Sequence, residues 1–258
     1  MLSKRNFLMI FAVVFAIFTF NSCKPWQSII ITSQQKKDEV AIMPELKQFL
    51  KENSKVSVVL RAVNTQSTAT QETRNTELYN QIERKLMMAG FNVIDRTLLE
   101  NLTRYGKIDY SNYEEIGKQL KTDIIIEITD ELYKVETPYK AFDNKKQIYL
   151  DGLYNRLYTT RAKSEKYPKE PIKVYSAKFS FRVVLVKEGA TKGFLTYYFA
   201  PCTDGCLAYS HKLWANYYYD CCFEVKNENS QRYDSYSISY ERILEDLPNR
   251  IIQALQGN

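Results

Sequence analysis

The 258-residue chain holds a single histidine, His211. A nucleophile–histidine–acid set could be built nowhere else, and no G-x-S-x-G, H-E-x-x-H or phosphate-binding loop is present. The chain is therefore expected not to be an enzyme, and no cofactor is implied. A membrane-spanning run is missing as well. The apolar stretch at residues 7–20 (FLMIFAVVFAIFTF) has 14 residues, short of the roughly 20 that a spanning helix needs. There is no internal repeat, and no cysteine separates Cys23 from Cys202.

What the first 23 residues do contain is a basic start (Lys4, Arg5), that short apolar core, and Phe20-Asn21-Ser22-Cys23. A positive segment, an apolar segment and a small residue before the cut read as an export signal. A cysteine directly after the small residue makes it a bacterial lipoprotein signal, with residues 1–22 removed and Cys23 acylated. Acyl chains such as palmitate partition into lipid at about 0.8 kcal/mol per buried CH₂, so several chains on one residue hold almost permanently. Phe20 stands where such signals usually carry Leu. An ordinary signal peptide cut elsewhere, or an uncleaved anchor, are the alternatives. Lys24 rather than an acid follows the cysteine, which favours the outer membrane and a periplasm-facing domain.

Without Lys4 and Arg5 the 36 basic side chains fall to 34, against 30 acidic ones, a net charge of +4. That is too mild and too evenly mixed for a nucleic-acid footprint. The 20 tyrosines are the compositional excess. They suit an interface, and they equally suit antiparallel strands. Cys202, Cys206, Cys221 and Cys222 lie close together, and an even number in an exported chain reads as disulfides. A bridge between the adjacent Cys221 and Cys222 would be strained. Two pairings remain open: 202–221 with 206–222, or 202–222 with 206–221. His211 falls between the pairs, but the spacing matches no standard zinc site, so no metal is expected.

Residues 23–54 read as a tether and lead-in, with a short strand at 28–32 and a short helix at 44–50. Residues 55–63 (KVSVVLRAV) read as a strand. A helix follows over 71–89, its Leu78, Ile82 and Leu86 recurring every four residues before Gly90. Residues 91–94 (FNVI) are a strand, with Asp95 placed to cap a helix over 97–105. A further helix covers 113–120. The apolar run at 124–129 predicts a central buried strand, and Asp123, Glu127 and Asp130 read as caps or surface charge. Strands at 178–187 and 194–200 surround a turn at 189–193. The last helix, 239–256, contains Pro248, which predicts a kink or restart. The fold class is α/β (α+β): a mixed sheet flanked by helices, with a tyrosine-rich, β-type C-terminal half and a terminal helix.

Several motifs carry a family resemblance. Phe91-Asn92-Val93-Ile94-Asp95-Arg96-Thr97-Leu98-Leu99 and Ile116-Gly117-Lys118-Gln119-Leu120-Lys121-Thr122-Asp123 resemble those of the curli-secretion lipoprotein CsgG and its relatives. These relatives include the penicillin-binding-protein activator lipoprotein LpoB and the flagellar lipoprotein FlgO. Residues 179–195 and 240–255 fit more loosely. Thr122 stands where the family has alanine, and Gly189-Ala190-Thr191-Lys192-Gly193 replaces its Thr-Gly turn.

The resemblance implies one domain over 55–258 with insertions at about 131–171 and 197–225. It makes Asp95, Arg96, Gly117 and Asp123 residues that hold the fold. It also implies a non-catalytic binding or scaffold lipoprotein, tethered to the membrane through Cys23 and meeting an envelope protein. The alternative is a homo-oligomeric secretion pore whose two insertions are membrane hairpins.

Overall fold

Five consecutive buried residues, Ile124-Ile125-Ile126-Glu127-Ile128, need cover on both faces, and only an interior strand supplies it. In the computed structural model they open β5 (Ile124–Glu136). The structure describes residues 28–62, 69–104, 109, 111–143, 147–148, 173–210, 222–226 and 233–257. β5 pairs in parallel with β3 (Ser57–Arg61) and antiparallel with β8 (Lys173–Leu185). Outside β3 lies the short parallel strand β4 (Asn92–Ile94). β8 also pairs with β9 (Ala190–Phe199), which in turn pairs with β2 (Glu39–Ile42). The first residues of β8 run parallel to β12 (Tyr233–Ile238), the neighbour of β11 (Cys222–Lys226). The main sheet is thus eight-stranded and mixed, flanked by helices, and the fold class is α/β.

Side chains alternate across the sheet and bury two separate cores. On one face Val58, Leu60, Ile124, Ile126, Phe179, Phe181 and Val183 meet three helices. These are α1 (Pro44–Glu52), α2 (Ala69–Met88) and α5 (Tyr240–Gln256). Leu78, Ile82 and Leu86 of α2 and Ile243, Leu247, Ile251 and Leu255 of α5 supply the apolar stripes. On the other face Val59, Ile125 and Val184 meet Leu99 of α3 (Arg96–Arg104) and Ile116 of α4 (Tyr113–Leu120).

A second sheet is wholly antiparallel. Its order is β10 (Cys206–Ser210), β1 (Ser28–Ser33), β6 (Tyr139–Asp143) and β7 (Gln147–Ile148). β6 follows directly on β5, so this sheet extends from the far end of the central strand.

Three features differ from those read in the sequence. β5 continues to Glu136 and β6 follows, so the central strand runs past the 124–129 read for it. β9 ends at Phe199, in keeping with the strand read over 194–200. The lead-in holds one strand more than was read beside its strand and helix: β2 pairs with β9, and Leu46 of α1 is fully buried. Finally, α5 runs through Pro248 without a break, and Pro248 is itself buried. Ser239 caps this helix by accepting from the Arg242 backbone N–H at 3.3 Å.

Gly117 marks a close approach between two elements. α4 lies against the turn Val186–Glu188, and a Cβ built on Gly117 would stand 1.9 Å from Val186 Cγ1. Gly117→Ala should therefore lower stability by about 1–3 kcal/mol through overpacking. Adding Val186→Ala should recover part of that loss, measured as the midpoint of urea unfolding. A Gly117→Ala variant as stable as the parent would contradict the packing.

Candidate functional site: a charged rung across the central sheet

An acid in the middle of an isoleucine run needs partners, and strand register provides them. Arg61 of β3 is paired with Glu127 of β5, and Glu127 is paired with Arg182 of β8. Residues opposite each other on one sheet face have Cβ atoms about 5 Å apart. Arg61 Nη1 reaches Glu127 Oε1 at 2.5 Å, and Arg182 Nε reaches Oε2 at 2.5 Å, with Arg182 Nη2 paired to the same oxygen. The Tyr113 hydroxyl, at the start of α4, donates to Oε1 at 3.2 Å and accepts from Arg182 Nη2 at 2.8 Å. Burial, and then the Glu127 charge, push the Tyr113 phenol above its ordinary range, so it stays a donor.

The Glu127 side chain is 7% exposed, while that of Arg182 is 37% exposed. The two guanidiniums and one carboxylate leave one positive charge, presented through Arg182. Desolvating such ions costs several kcal/mol each, and the donors of three side chains on the two carboxylate oxygens offset it. The rung can hold register and display a cation; its carboxylate is already engaged as an acceptor.

Beyond α4 no described helix covers the same sheet face. Lys178 pairs with Asp130 at 2.8 Å, Ser180 meets Thr196 at 3.3 Å, and Lys36 reaches the Tyr198 hydroxyl at 2.6 Å. Phe194, paired in register with Arg182, is 54% exposed. Leu132 and Phe194 give this face apolar area among paired charges.

On the opposite face, a second acid lies in a nest of aromatic hydroxyls. Glu131 Oε2 accepts from Asn75 Nδ2 at 2.6 Å, and Asn75 Oδ1 accepts from the Tyr133 hydroxyl at 3.0 Å. Glu131 Oε1 is buried and accepts no hydrogen bond of normal geometry, although the Tyr79 hydroxyl favours the ionised form. Burial dominates and raises the Glu131 carboxyl above its ordinary value. Burial also raises the Tyr79 and Tyr133 phenols far above theirs.

The residues singled out from sequence fall in several places. Asp95 Oδ1 accepts from the Thr97 backbone N–H at 2.9 Å and from its hydroxyl at 2.8 Å, at the start of α3. These bonds hold the Asp95 carboxyl below its ordinary range. Arg96 reaches back to α2, to Glu83 at 2.6 Å and Asn80 at 2.8 Å. Asp123 Oδ2 accepts from Ser57 N at 2.8 Å and Ser57 Oγ at 2.6 Å, locking the first residues of β3 and β5 together. None of these touches the rung. Cys23, His211 and Cys221 lie outside the described residues, as do residues 149–172. Among the described residues, no group of three or more His, Cys, Asp or Glu could hold a metal ion.

The cysteine pairing needs correction. Cys202 is bonded to Cys206, in place of either pairing expected with Cys221 and Cys222. β9 ends at Phe199 and β10 begins at Cys206, so a tight turn brings the two α-carbons within 4.9 Å. The Asp204-Gly205 pair in that turn was the available signal: Gly205 has φ +99 and donates to Cys202 O at 3.1 Å. Cys222 instead begins the strand β11. The rung was missed because Arg61 and Arg182 look like ordinary surface charges until register is known.

No family model matches the chain, and no curated protein matches it. Among solved structures, the PelC dodecamer from Paraburkholderia phytofirmans is similar over 85% of this chain and 96% of that chain, at 9% identity and a TM-score of 0.35. A variant PelC dodecamer from the same organism is similar over 88% and 99%, at 10% identity and a TM-score of 0.30. Likeness of that degree is too slight to transfer anything from that protein to this chain.

Two substitutions test the acids. Glu127→Ala removes the carboxylate that both guanidiniums share and should cost about 3 kcal/mol. That is the lower end for a broken buried pair, because Arg182 reaches solvent. Equilibrium unfolding measures it, and a loss below about 1 kcal/mol would mean the rung is ordinary surface charge. The contribution of Glu131 depends on pH. Its folded-state pKa is raised, so its contribution to stability is complete below the unfolded carboxylate pKa and is lost as pH rises through the folded value. Glu131→Gln should therefore gain stability over the parent as pH rises towards neutrality, and gain least in acid.

Proposed function

We propose that the chain is an outer-membrane lipoprotein facing the periplasm, held by acyl chains on Cys23 and serving as a non-catalytic binding or scaffold module of an envelope complex. The observation that carries this reading is the register of the small sheet. Ser28 lies opposite Ser210, and Ile29 lies opposite Asp143. Ser28, Asp143 and Ser210, the described residues next to the chain towards Cys23, to residues 144–146 and to the segment from 211 onwards, therefore lie at one end of that sheet.

Five residue steps separate Cys23 from Ser28, a reach of at most about 17 Å. An acylated Cys23 would hold that end of the small sheet close to the bilayer. The other end is tied inwards: Ser33 donates from its backbone to Cys202 O at 3.2 Å and from its hydroxyl to Pro201 O. The main sheet then stands away from the membrane with the open face of β5, β8 and β9 available. Tethering also fits the described helices, none of which is long and apolar enough to cross a membrane. The non-catalytic reading is supported by the engagement of Glu127 and by the single histidine.

A second reading, an oligomeric pore subunit with two membrane hairpins, draws on two of the outer edges of the main sheet. Val40, Met43 and Phe194 are exposed beside β2, and Met87, Met88 and Leu98 are exposed beside β4. Unlike edges flanked by apolar side chains suit head-to-tail assembly, which closes into a ring.

Particle mass after gentle detergent extraction separates the two readings. A monomer or dimer, with Cys23→Ala moving the protein out of the membrane fraction, is the expected result. A ring of about eight or more subunits would replace the scaffold with the pore. A Cys23→Ala protein that stays fully membrane-bound would overturn the lipid tether.

A further inference from the structure

Two different chemistries seat α2 along its length. Leu78, Ile82 and Leu86 press its later turns into the larger core, and Arg96 holds it from the side through Glu83 and Asn80. Residues 70–77 (TQETRNTE) contain no apolar side chain. Turns without an apolar stripe gain little from packing, so polar contacts must dock the beginning of the helix.

Two such contacts are present. Tyr240 of α5 donates its hydroxyl to the Arg74 carbonyl, with the Arg74 guanidinium over its ring. Asn75, only 6% exposed, donates from Nδ2 to Glu131 Oε2 at 2.6 Å and accepts at Oδ1 from the Tyr133 hydroxyl at 3.0 Å. Glu131 thus ties the beginning of α2 to the second half of β5.

The surroundings of Glu131 suit a neutral acid better than an anion. Phe179 of β8 lies opposite it in register. α2 brings Asn75 and Tyr79, β5 brings Tyr133 and Asp130, and α5 brings Tyr240. Arg96 of α3 lies over the Tyr79 ring at 5.5 Å but is bonded to Glu83, and Arg74 acts on Tyr133 and Tyr240. The charge that acts on Glu131 itself is that of Asp130, another acid, paired with Lys178. An ionised Glu131 therefore gives up water without gaining a cation. Protonated, it can donate to the Tyr79 hydroxyl while Oε2 still accepts from Asn75. Once the first turns of α2 leave β5, water reaches the carboxylate and that cost disappears. Because burial raises the docked carboxyl, docking is complete below its free value and is lost as pH rises through the docked one.

We propose that Glu131 is a proton-operated latch: residues 69–77 lie on β5 while its carboxyl is neutral and lift away once it ionises, uncovering Tyr133 and Tyr240. The latch needs neither an acyl chain nor a second copy, so its failure would leave the tether and the scaffold reading untouched.

Amide hydrogen exchange of the full-length protein in detergent tests it, with rates corrected for the intrinsic pH dependence of exchange. Between about pH 4.5 and about pH 7.5 the parent should lose about tenfold of its protection over 69–77 and keep it over 78–88. Glu131→Gln, a neutral isostere, should stay protected over 69–77 at both pH values, and Asn75→Ala should lose that protection at both. Protection over 69–77 that does not change with pH in the parent, that falls equally in Glu131→Gln, or that falls together with 78–88 would overturn the latch. So would a Glu131→Gln protein that does not fold, because the neutral acid is the docked form.

Discussion

A carboxylate at the centre of a buried strand is tolerable only if cations meet it from both neighbours, and Glu127 meets that condition through strand register. A slip of one residue between β5 and β8 would turn Arg182 to the other face and leave an ion without a partner. The same slip would send Val183 and Phe181 out of the larger core. Hydrophobic alternation and the charged rung therefore specify one register twice, by independent means. The Asp123–Ser57 clamp sets the β3–β5 register at the strand starts, a few residues before the rung.

Much of this architecture was legible in the residues. The period of Leu78, Ile82 and Leu86 marked α2, and Ser239 and Gly257 bracket α5. The unbroken isoleucines identified the central strand because burial on both faces requires such a run. What could not be read was pairing between distant segments. β2, with Val40 exposed, carries no strong strand signal and exists because β9 offers an edge. β5 was ended too early because its second half alternates Glu131, Tyr133 and Val135 with exposed partners, the pattern of a strand covered on one face only. The rung escaped for the same reason. Arginines at 61 and 182 are 121 positions apart in the chain, and only the sheet brings them to one acid.

Pro248 shows where local rules yield to context. It removes one helical donor from α5, yet Leu247 and Ile251 bury the helix on both sides of it, and Asn249 Nδ2 donates to the Glu245 carbonyl at 2.8 Å. Packing along an amphipathic face outweighs a single missing bond.

The five-residue cycle closed by Cys202 and Cys206 bears on the order in which the chain can oxidise. In a polypeptide delivered amino-terminus first into an oxidising space, these two thiols arrive together, ahead of Cys221 and Cys222. Nearest-neighbour closure can then be complete while Cys221 and Cys222 are still in transit. The sequence spacing of the cysteines becomes a timing device against scrambling.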